Sequence, residues 1–542
     1  MTWRGENFGV ALKALASGIE PGRPALLHGD RVIDWQAFDR ITDGIAAGLI
    51  ARGLKPGDAA GQMQRNSPEY VLAYFGCAKA GVRPVNVNYH YLANELGDIF
   101  TRFDLKALFV DPEFAERAQA ADAQGLAHVL VADPDAAAWQ ELCRTPLPEG
   151  YAPHPDPDEM FYMATGGTTG MPKAVMWPFA EAWQAFQIAH WPTQLGQPPE
   201  IVYTLEDHVE RAAALPPDHA ESSAPMLLLC PLMHGTGQFG AMIHLLRGGT
   251  LATLPGTKFD PDAAIDAVVK HRARTLVMVG DAFSMPLADC LEARADAAEA
   301  IASLKAMTSS GAVFSLSVKE RLVAVNPMMA IVDTLGSSES GGTAVTITTI
   351  AGTTGGGHFS QFPGRDIVLL SDDLELIPPG SGAVGMVART GPLPLGYLGE
   401  DRKNAETFPV VGGQRYLITG DRAHWREDGS LAFIGRDNMC INTGGEKVFP
   451  EEVEAALQAH GDVADVRVVG IPDPRFGRKI AAVVLLREGC ETGDAALDAH
   501  VRAALASYKV PRLYVFTQES LRLNNGKPDY RTAQRLAEEA AA

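Results

Sequence analysis

What most limits the folds open to this chain is a unit that recurs along it: a short apolar or β-branched run ending at glycine, set between stretches with helical spacing. EMFYMAT (159–165) runs into a glycine loop, and RTLVMVG (274–280) and MMAIVDTLG (328–336) end at glycine in the same way. From Ser67 to Gly81 the spacing is helical. Ser67 suits the N-cap, Pro68 the first turn, and Val71, Leu72, Tyr74, Phe75 and Ala78 an apolar face, with Gly81 as the stop. A strand, VRPVNVN, follows at once. Such alternation predicts an α/β architecture with largely parallel sheets, whose ligands gather beyond the carboxyl ends of the strands. No internal repeat of solenoid length is visible.

At 542 residues the chain exceeds one ordinary core, so at least two domains are expected. After Arg436 the pattern becomes compact. Pro450 with Glu451, Glu452 and Glu454 opens a helix, VRVVGI and KIAAVVLL read as strands, and Leu497, Val501, Leu505 and Tyr508 stripe a second helix. The predicted division is therefore a large N-terminal domain of sheets flanked by helices, 1–436, and a small C-terminal α/β domain, 437–542. Residues 191–224 read as an acidic surface excursion without assigned chemistry.

Charge and cysteine usage exclude several functions. Sixty-six acidic against 46 basic residues give a net charge of −20, which disfavours broad attraction to nucleic acid or anionic lipid; an anionic ligand needs a local site. Cys77, Cys143, Cys230, Cys290, Cys440 and Cys490 are widely spaced with no C-x-x-C, which argues against disulfides and thiolate metal sites; they read as buried, reduced hydrophobes. The N-terminus lacks the parts of a secretory signal, and the most apolar run, 224–233, is half the length needed to span a bilayer. A cytoplasmic protein without a transmembrane segment is expected.

MATGGTTGMPKAVMW (163–177) is the stretch with the most evident chemistry. Gly166, Gly167 and Gly170 free the backbone so that consecutive amides can converge on an anion; Thr165, Thr168 and Thr169 add hydroxyls, and Lys173 adds charge. These are the parts of a phosphate cradle, but the stretch is neither a Walker A sequence nor a dinucleotide fingerprint, and by itself it reads equally as a tight surface turn.

Six stretches in order carry a resemblance that spans nearly the whole chain: YMATGGTTGMPKAV (162–175), SSGAVF (309–314), TLGSSES (334–340), YLITGD (416–421), GRDNMCINTGGEKVFPEEVE (435–454) and NNGKPDYR (524–531). Together they resemble the adenylate-forming superfamily, which includes acyl-CoA synthetases, peptide-synthetase adenylation domains and luciferases. The resemblance implies a glycine loop that binds ATP, and a C-terminal domain that rotates between two half-reactions.

Residue by residue, the resemblance implies the following site. Glu339, otherwise an ordinary loop glutamate, is the Mg2+-binding carboxylate, and Ser338 contacts the α-phosphate. Gly311 and Ala312 approach the adenine; Leu335, beside Gly336, replaces the usual stacking aromatic, so one face of the base is covered by an aliphatic side chain. Asp421, which a Gly-Asp turn would explain equally well, binds the ribose hydroxyls with Arg436. His234, readable as a core histidine or a base, lines the carboxylate end of an acyl pocket with Gly235, Thr236 and Gly237. Lys527, on its own a solvated lysine, lies over the bond formed during adenylation. Asn438 occupies the hinge position where Asp or Lys is common, and Gly444, Gly445 and Glu446 line the pantetheine tunnel of CoA.

The implied activity is that of an ATP-dependent, Mg2+-requiring carboxylate:CoA ligase with a small-molecule acid as substrate. Within the superfamily, GGTTGMPKAVMW and GRDNMCINTGGEKVFPEEVE look most like bacterial synthetases acting on fatty acids and steroid side-chain acids. An acyl-AMP ligase that loads a carrier protein, or a catalytically silent nucleotide-binding homologue, are the alternatives. GSSESG is not G-x-S-x-G and H-E-x-x-H is absent, which sets a serine hydrolase or zincin aside. Oligomeric state is not legible, with a homodimer as one option.

Overall fold

The computed structural model describes every residue except 1–2, 122–125, 166–171, 192–198, 217–222, 313, 355–358, 362–366, 437–438, 440, 444–445, 474–476, 506, 524–526 and 542; of 436, 442–443, 446–447 and 477 it describes the backbone alone. The chain forms two compact units, Met1–Thr353 with Thr390–Pro409, and Thr354–Arg389 with Val410–Ala542.

The first unit has two mixed sheets with parallel centres, as the alternation predicts. In one, Met160–Thr165, Arg83–Asn86, Ala59–Met63, Leu105–Val110 and His128–Val131 run parallel in that spatial order, and Lys173–Pro178 and then Gly396–Tyr397 add antiparallel strands at one edge. In the other, the parallel centre comprises Ala330–Ser337, Ala306–Ser310, Thr275–Met278, Met226–Leu228, Leu251–Thr253 and Pro24–His28. The antiparallel strands Gly341–Thr349 and Arg31–Asp34 flank it.

Helix Pro68–Ala80 forms where its caps predict: the Ser67 hydroxyl accepts from the Tyr70 amide at 3.3 Å, and Gly81 takes the left-handed conformation at φ 71°. Its expected single apolar face is a correction. All 13 of its residues are buried, Glu69 and Lys79 included, because the helix touches strands of both sheets. Charges at such depth require partners. Glu69 receives Arg31 at 2.6 Å, and the Lys79 ammonium lies 2.5 Å from Asp39 and 2.7 Å from Asp43.

The second unit contains an antiparallel sheet in which Ile367–Leu370, Gly385–Arg389, Leu417–Trp425 and Leu431–Arg436 are successive neighbours. It also contains a three-stranded sheet of Val463–Asp473, Gly477–Leu486 and Leu513–Phe516. Val466, Val468, Ile480, Ala482 and Val484 join one core with Val453, Leu457, Leu497 and Val501; Val469, Ile471, Ala481 and Val483 join another with Ala533 and Ala537. Burial on both faces is why these strands read as continuous apolar runs.

Three expectations need correction. The segment 191–224 is more than a surface excursion: His190–Trp191 pairs with Glu200–Ile201, and helix Leu205–Ala214 buries His208 and packs on Phe8–Gly18. Helix Asp494–Ala504 ends before Leu505 and Tyr508, and Tyr508 is exposed in a 3-10 turn. Of the cysteines, Cys77 and Cys230 are buried, whereas Cys143, Cys290 and Cys490 are half-exposed; all five are free thiols, and Cys440 lies outside the described residues. Among the described residues no helix is long and apolar enough to cross a membrane.

Candidate active site

In the first unit, strands Met160–Thr165 and Lys173–Pro178 form a hairpin whose last pair is Thr165 opposite Lys173, with the Thr165 hydroxyl donating to the Lys173 carbonyl at 3.4 Å. Gly166, Gly167, Thr168, Thr169 and Gly170 lie outside the described residues. The base of the hairpin is clamped from the neighbouring strand by buried Asn86. Its side-chain oxygen accepts from the Ala164 amide at 2.6 Å, and its amide group donates to the carbonyls of Ala164, at 3.2 Å, and Met233. Asn66 holds the same segment one step earlier, donating to the Cys230 carbonyl at 2.9 Å and accepting from the Leu232 amide at 2.7 Å.

These two asparagines deliver the chain to half-buried His234, the N-cap of helix Gly235–Leu246. Thr236 donates through its hydroxyl to the Ser310 carbonyl at 3.3 Å, which brings the helix start against Ser310 and Gly311 at the carboxyl end of Ala306–Ser310. Gly311 is exposed with φ +86°, and Ala312 is half-buried beside it. A Cβ on Gly235 would meet Ser338 Oγ and Phe239 Cε2 at 3.4 Å each, so Ser338 also borders this helix start. A Cβ on Gly237 would lie 2.3 Å from the Pro231 carbonyl oxygen. The missing side chain of Gly237 thus makes room for the Pro231 backbone.

Leu335 and Gly336 lie near the end of Ala330–Ser337, at a bulge in its pairing with Gly341–Thr349. Gly336 is required there, since a Cβ would sit 2.3 Å from the Gly341 carbonyl oxygen. Serine hydroxyls hold the turn that follows. Ser337 Oγ accepts from the amides of Glu339 and Ser340 at 3.2 Å, and Ser340 Oγ accepts from the Ser337 amide at 2.9 Å. Trp177 Nε1 donates to the Ser338 carbonyl at 2.8 Å, which ties the turn to the Lys173–Pro178 strand of the other sheet.

Tyr397 joins the two charged groups of this cluster. Its hydroxyl donates to Glu339 Oε1 at 2.8 Å, and the Lys173 ammonium stands 5.6 Å over its ring. Burial pushes the Tyr397 phenol well above its ordinary pKa, and the Glu339 carboxylate adds to this, so the hydroxyl keeps its proton. The Lys173 pKa is lowered by desolvation and then by Lys403 and Arg102, with Glu339 and Glu406 opposing. A separate 690 Å³ cavity, lined by Arg31, Asp39, Asp43, Glu69 and Trp139 among others, contains none of these residues. Its acidic side chains are already paired with Arg31 and Lys79.

In the second unit, Asp421 is buried directly opposite Arg436 in the pairing of Leu417–Trp425 with Leu431–Arg436. Gly420 before it has φ +82°, and the Asp421 amide donates to Thr419 Oγ1 at 3.3 Å. Lys527 is exposed; its carbonyl accepts from the Leu523 amide at 2.8 Å, and the Asp529 amide donates to the Leu521 carbonyl at 2.9 Å. Just beyond, Tyr530 donates to buried Glu454 Oε2 at 3.1 Å, while Glu454 Oε1 accepts from the Val468 amide at 2.8 Å. Glu446 opens the strand Glu446–Val448, with its side chain not described; Asn438, Gly444 and Gly445 lie outside the described residues.

Residues 16–398 match the family described as AMP-binding enzyme, and residues 452–527 match the AMP-binding enzyme C-terminal domain. The chain belongs to the AMP-binding enzyme family. Among its relatives is the medium/long-chain-fatty-acid/3-oxocholest-4-en-26-oate CoA ligase of Mycolicibacterium smegmatis, 37% identical across 96% of this chain and 95% of the relative. Another is the 3-oxocholest-4-en-26-oate CoA ligase of Rhodococcus rhodochrous, 34% identical across 96% and 94%. The fold matches the solved structure of an ATP-bound RpMatB-BxBclM chimera with a TM-score of 0.82 at 21% identity, covering 99% of this chain and 100% of that one.

Four residues of this candidate site escaped sequence reasoning: Asn66, Asn86, Trp177 and Tyr397. Each acts on a residue remote in the chain, and none stands in a spacing pattern that marks a role. Among the described residues no group of three or more His, Cys, Asp or Glu side chains could hold a metal ion. The chemistry of Glu339 nevertheless fits magnesium, a hard cation that takes one or two carboxylates together with nucleotide phosphates and water.

Proposed function

We propose that the chain is an AMP-forming ligase that activates a carboxylic acid with ATP and passes the acyl group to CoA. The carrying observation is the cluster in which Lys173, Tyr397 and Glu339 meet beside the Thr165–Lys173 hairpin, in a chain matching both parts of the AMP-binding enzyme family. In the first step a carboxylate oxygen of the acid attacks the α-phosphorus of ATP, the bond to pyrophosphate breaks, and an acyl adenylate forms. In the second, the CoA sulfur attacks the acyl carbon and AMP leaves.

Lys173 and the loop from Thr165 through Gly166, Gly167, Thr168, Thr169 and Gly170 hold the phosphates, with Ser338 at the α-phosphate. Glu339 holds Mg2+, which when bound neutralises phosphate charge. Gly311, Ala312, Leu335 and Gly336 border the adenine, and Asp421 and Arg436 take the ribose. His234, Gly235, Thr236 and Gly237 line the carboxylate end of the acyl pocket. Lys527 bridges the attacking carboxylate and the α-phosphate, an interaction available only as charge develops there. The domain 437–542 then turns about Asn438, withdraws Lys527 and presents Gly444, Gly445 and Glu446 to CoA.

The substrates named in its relatives support a fatty or steroid side-chain acid. The test is pyrophosphate release from ATP and Mg2+ with a panel running from acetate through long-chain and steroid side-chain acids, with and without CoA. Acid-dependent release and acyl-CoA formation are expected, strongest with the long-chain or steroid acids. No release with any acid would refute the reading, and turnover indifferent to CoA would move the acceptor to a carrier protein.

A further inference from the structure

The turn that carries Glu339 fixes its backbone but not its carboxylate. The hydroxyls of Ser337 and Ser340 are spent on amides of the turn itself. The carboxylate is reached instead by Tyr397, 58 residues away in sequence and attached to the other sheet. The backbone beneath that phenol is fixed in turn. The Tyr397 amide donates to Asn404 Oδ1 at 2.6 Å, and Asn404 Nδ2 donates to the Tyr397 carbonyl at 2.8 Å. Gly396 at φ +136° lets Asn404 approach, since a Cβ there would lie 2.6 Å from Asn404 Oδ1.

The geometry points to Tyr397 as a positioning residue for the divalent cation. Its hydroxyl holds Glu339 Oε1, so that Oε2 is left to the cation, and its ring supports the Lys173 ammonium from below. A glutamate side chain gives up rotamer freedom when it is fixed, and a carboxylate already held binds a cation without that cost. One phenol thereby sets the spacing of the cation-binding carboxylate and the phosphate-binding ammonium. These groups belong to different sheets, and neither strand fixes that spacing alone. This inference rests on the ligase reading for its use in catalysis, and on the geometry alone for its effect on metal binding.

The test uses the full chain and α,β-methylene-ATP, a nucleotide that cannot donate its adenylyl group. Its binding is followed by calorimetry across a magnesium series for the wild type, Tyr397→Phe, Glu339→Gln and the double variant. Tyr397→Phe keeps the ring and the Asn404 clamp but removes the hydroxyl. The magnesium concentration for half-maximal enhancement of nucleotide binding should rise about tenfold, as expected for one lost hydrogen bond to a charged group, with metal-free nucleotide affinity unchanged. Glu339→Gln should raise it too, and the double variant should add nothing further. In turnover, Tyr397→Phe should show the same magnesium shift with the KM for the acid retained.

An unchanged magnesium requirement in Tyr397→Phe, when Glu339→Gln shifts it, overturns the inference and leaves the ligase reading standing. An equal fall in metal-free and metal-loaded affinity also overturns it, because it marks general packing. If the shift appears but no acid elicits pyrophosphate from the wild type, the ligase reading fails and the role of Tyr397 in metal binding stands.

Discussion

Replacing Glu454 with glutamine should make the C-terminal part of the second unit more stable at pH 8 while changing it little at pH 5. Burial pushes the Glu454 carboxyl up from its ordinary 4.5 to about 7; Arg467, the Val468 amide and the Tyr530 hydroxyl oppose this, and Glu451 adds to the upward push. The folded unit therefore holds a proton that the unfolded chain releases between pH 4.5 and about 7. The sign follows: this contribution is fully present below 4.5 and is lost as pH rises through 7. A displacement of that size corresponds to about 3 kcal/mol. The glutamine side chain carries no charge at any of these pH values, and its carbonyl can still accept from the Val468 amide. The assay is hydrogen exchange, corrected for intrinsic rates, in helices Pro450–Gln458 and Tyr530–Ala541 from pH 5 to 8. The wild type should lose protection as pH rises, and Glu454→Gln should flatten the profile. Equal destabilisation of the variant at pH 5 and pH 8 would refute the reasoning, because it would mean that Arg467 holds Glu454 ionised throughout.

Lys527→Ala should reduce acid-dependent pyrophosphate release by about a hundredfold or more; thioester formation from a supplied acyl adenylate should be spared, and equal loss in both steps would count against its assignment to adenylation. Asn86→Ala strips partners from the part-buried backbone groups of Ala164 and the buried carbonyl of Met233; a cost of about 2–4 kcal/mol is expected, read as a lower thermal midpoint together with slower pyrophosphate release. Lys79→Met leaves Asp39 and Asp43 without their buried cation and should destabilise the first unit by about 3–5 kcal/mol in chemical denaturation, with nucleotide affinity retained in the folded fraction.

The sequence by itself determined what is local. Caps, helix stops and apolar runs mark Pro68–Ala80, Arg83–Asn86, Met160–Thr165 and Val463–Asp473, because each is specified by dihedral preference and by the burial of near neighbours. The family was legible as well, since its motifs are contiguous stretches. What only the tertiary structure decided is everything that depends on two distant segments meeting. A capped helix with one expected apolar face is buried all round because strands of both sheets touch it. Gly237 admits the Pro231 carbonyl, and Leu205–Ala214 buries His208 within a segment that reads as acidic surface. Tyr397 carries no local signal of its role, yet it joins Glu339 to Lys173 across the two sheets. Hydrogen bonds and ion pairs act over a few ångströms in space, whereas spacing patterns record only neighbours along the chain.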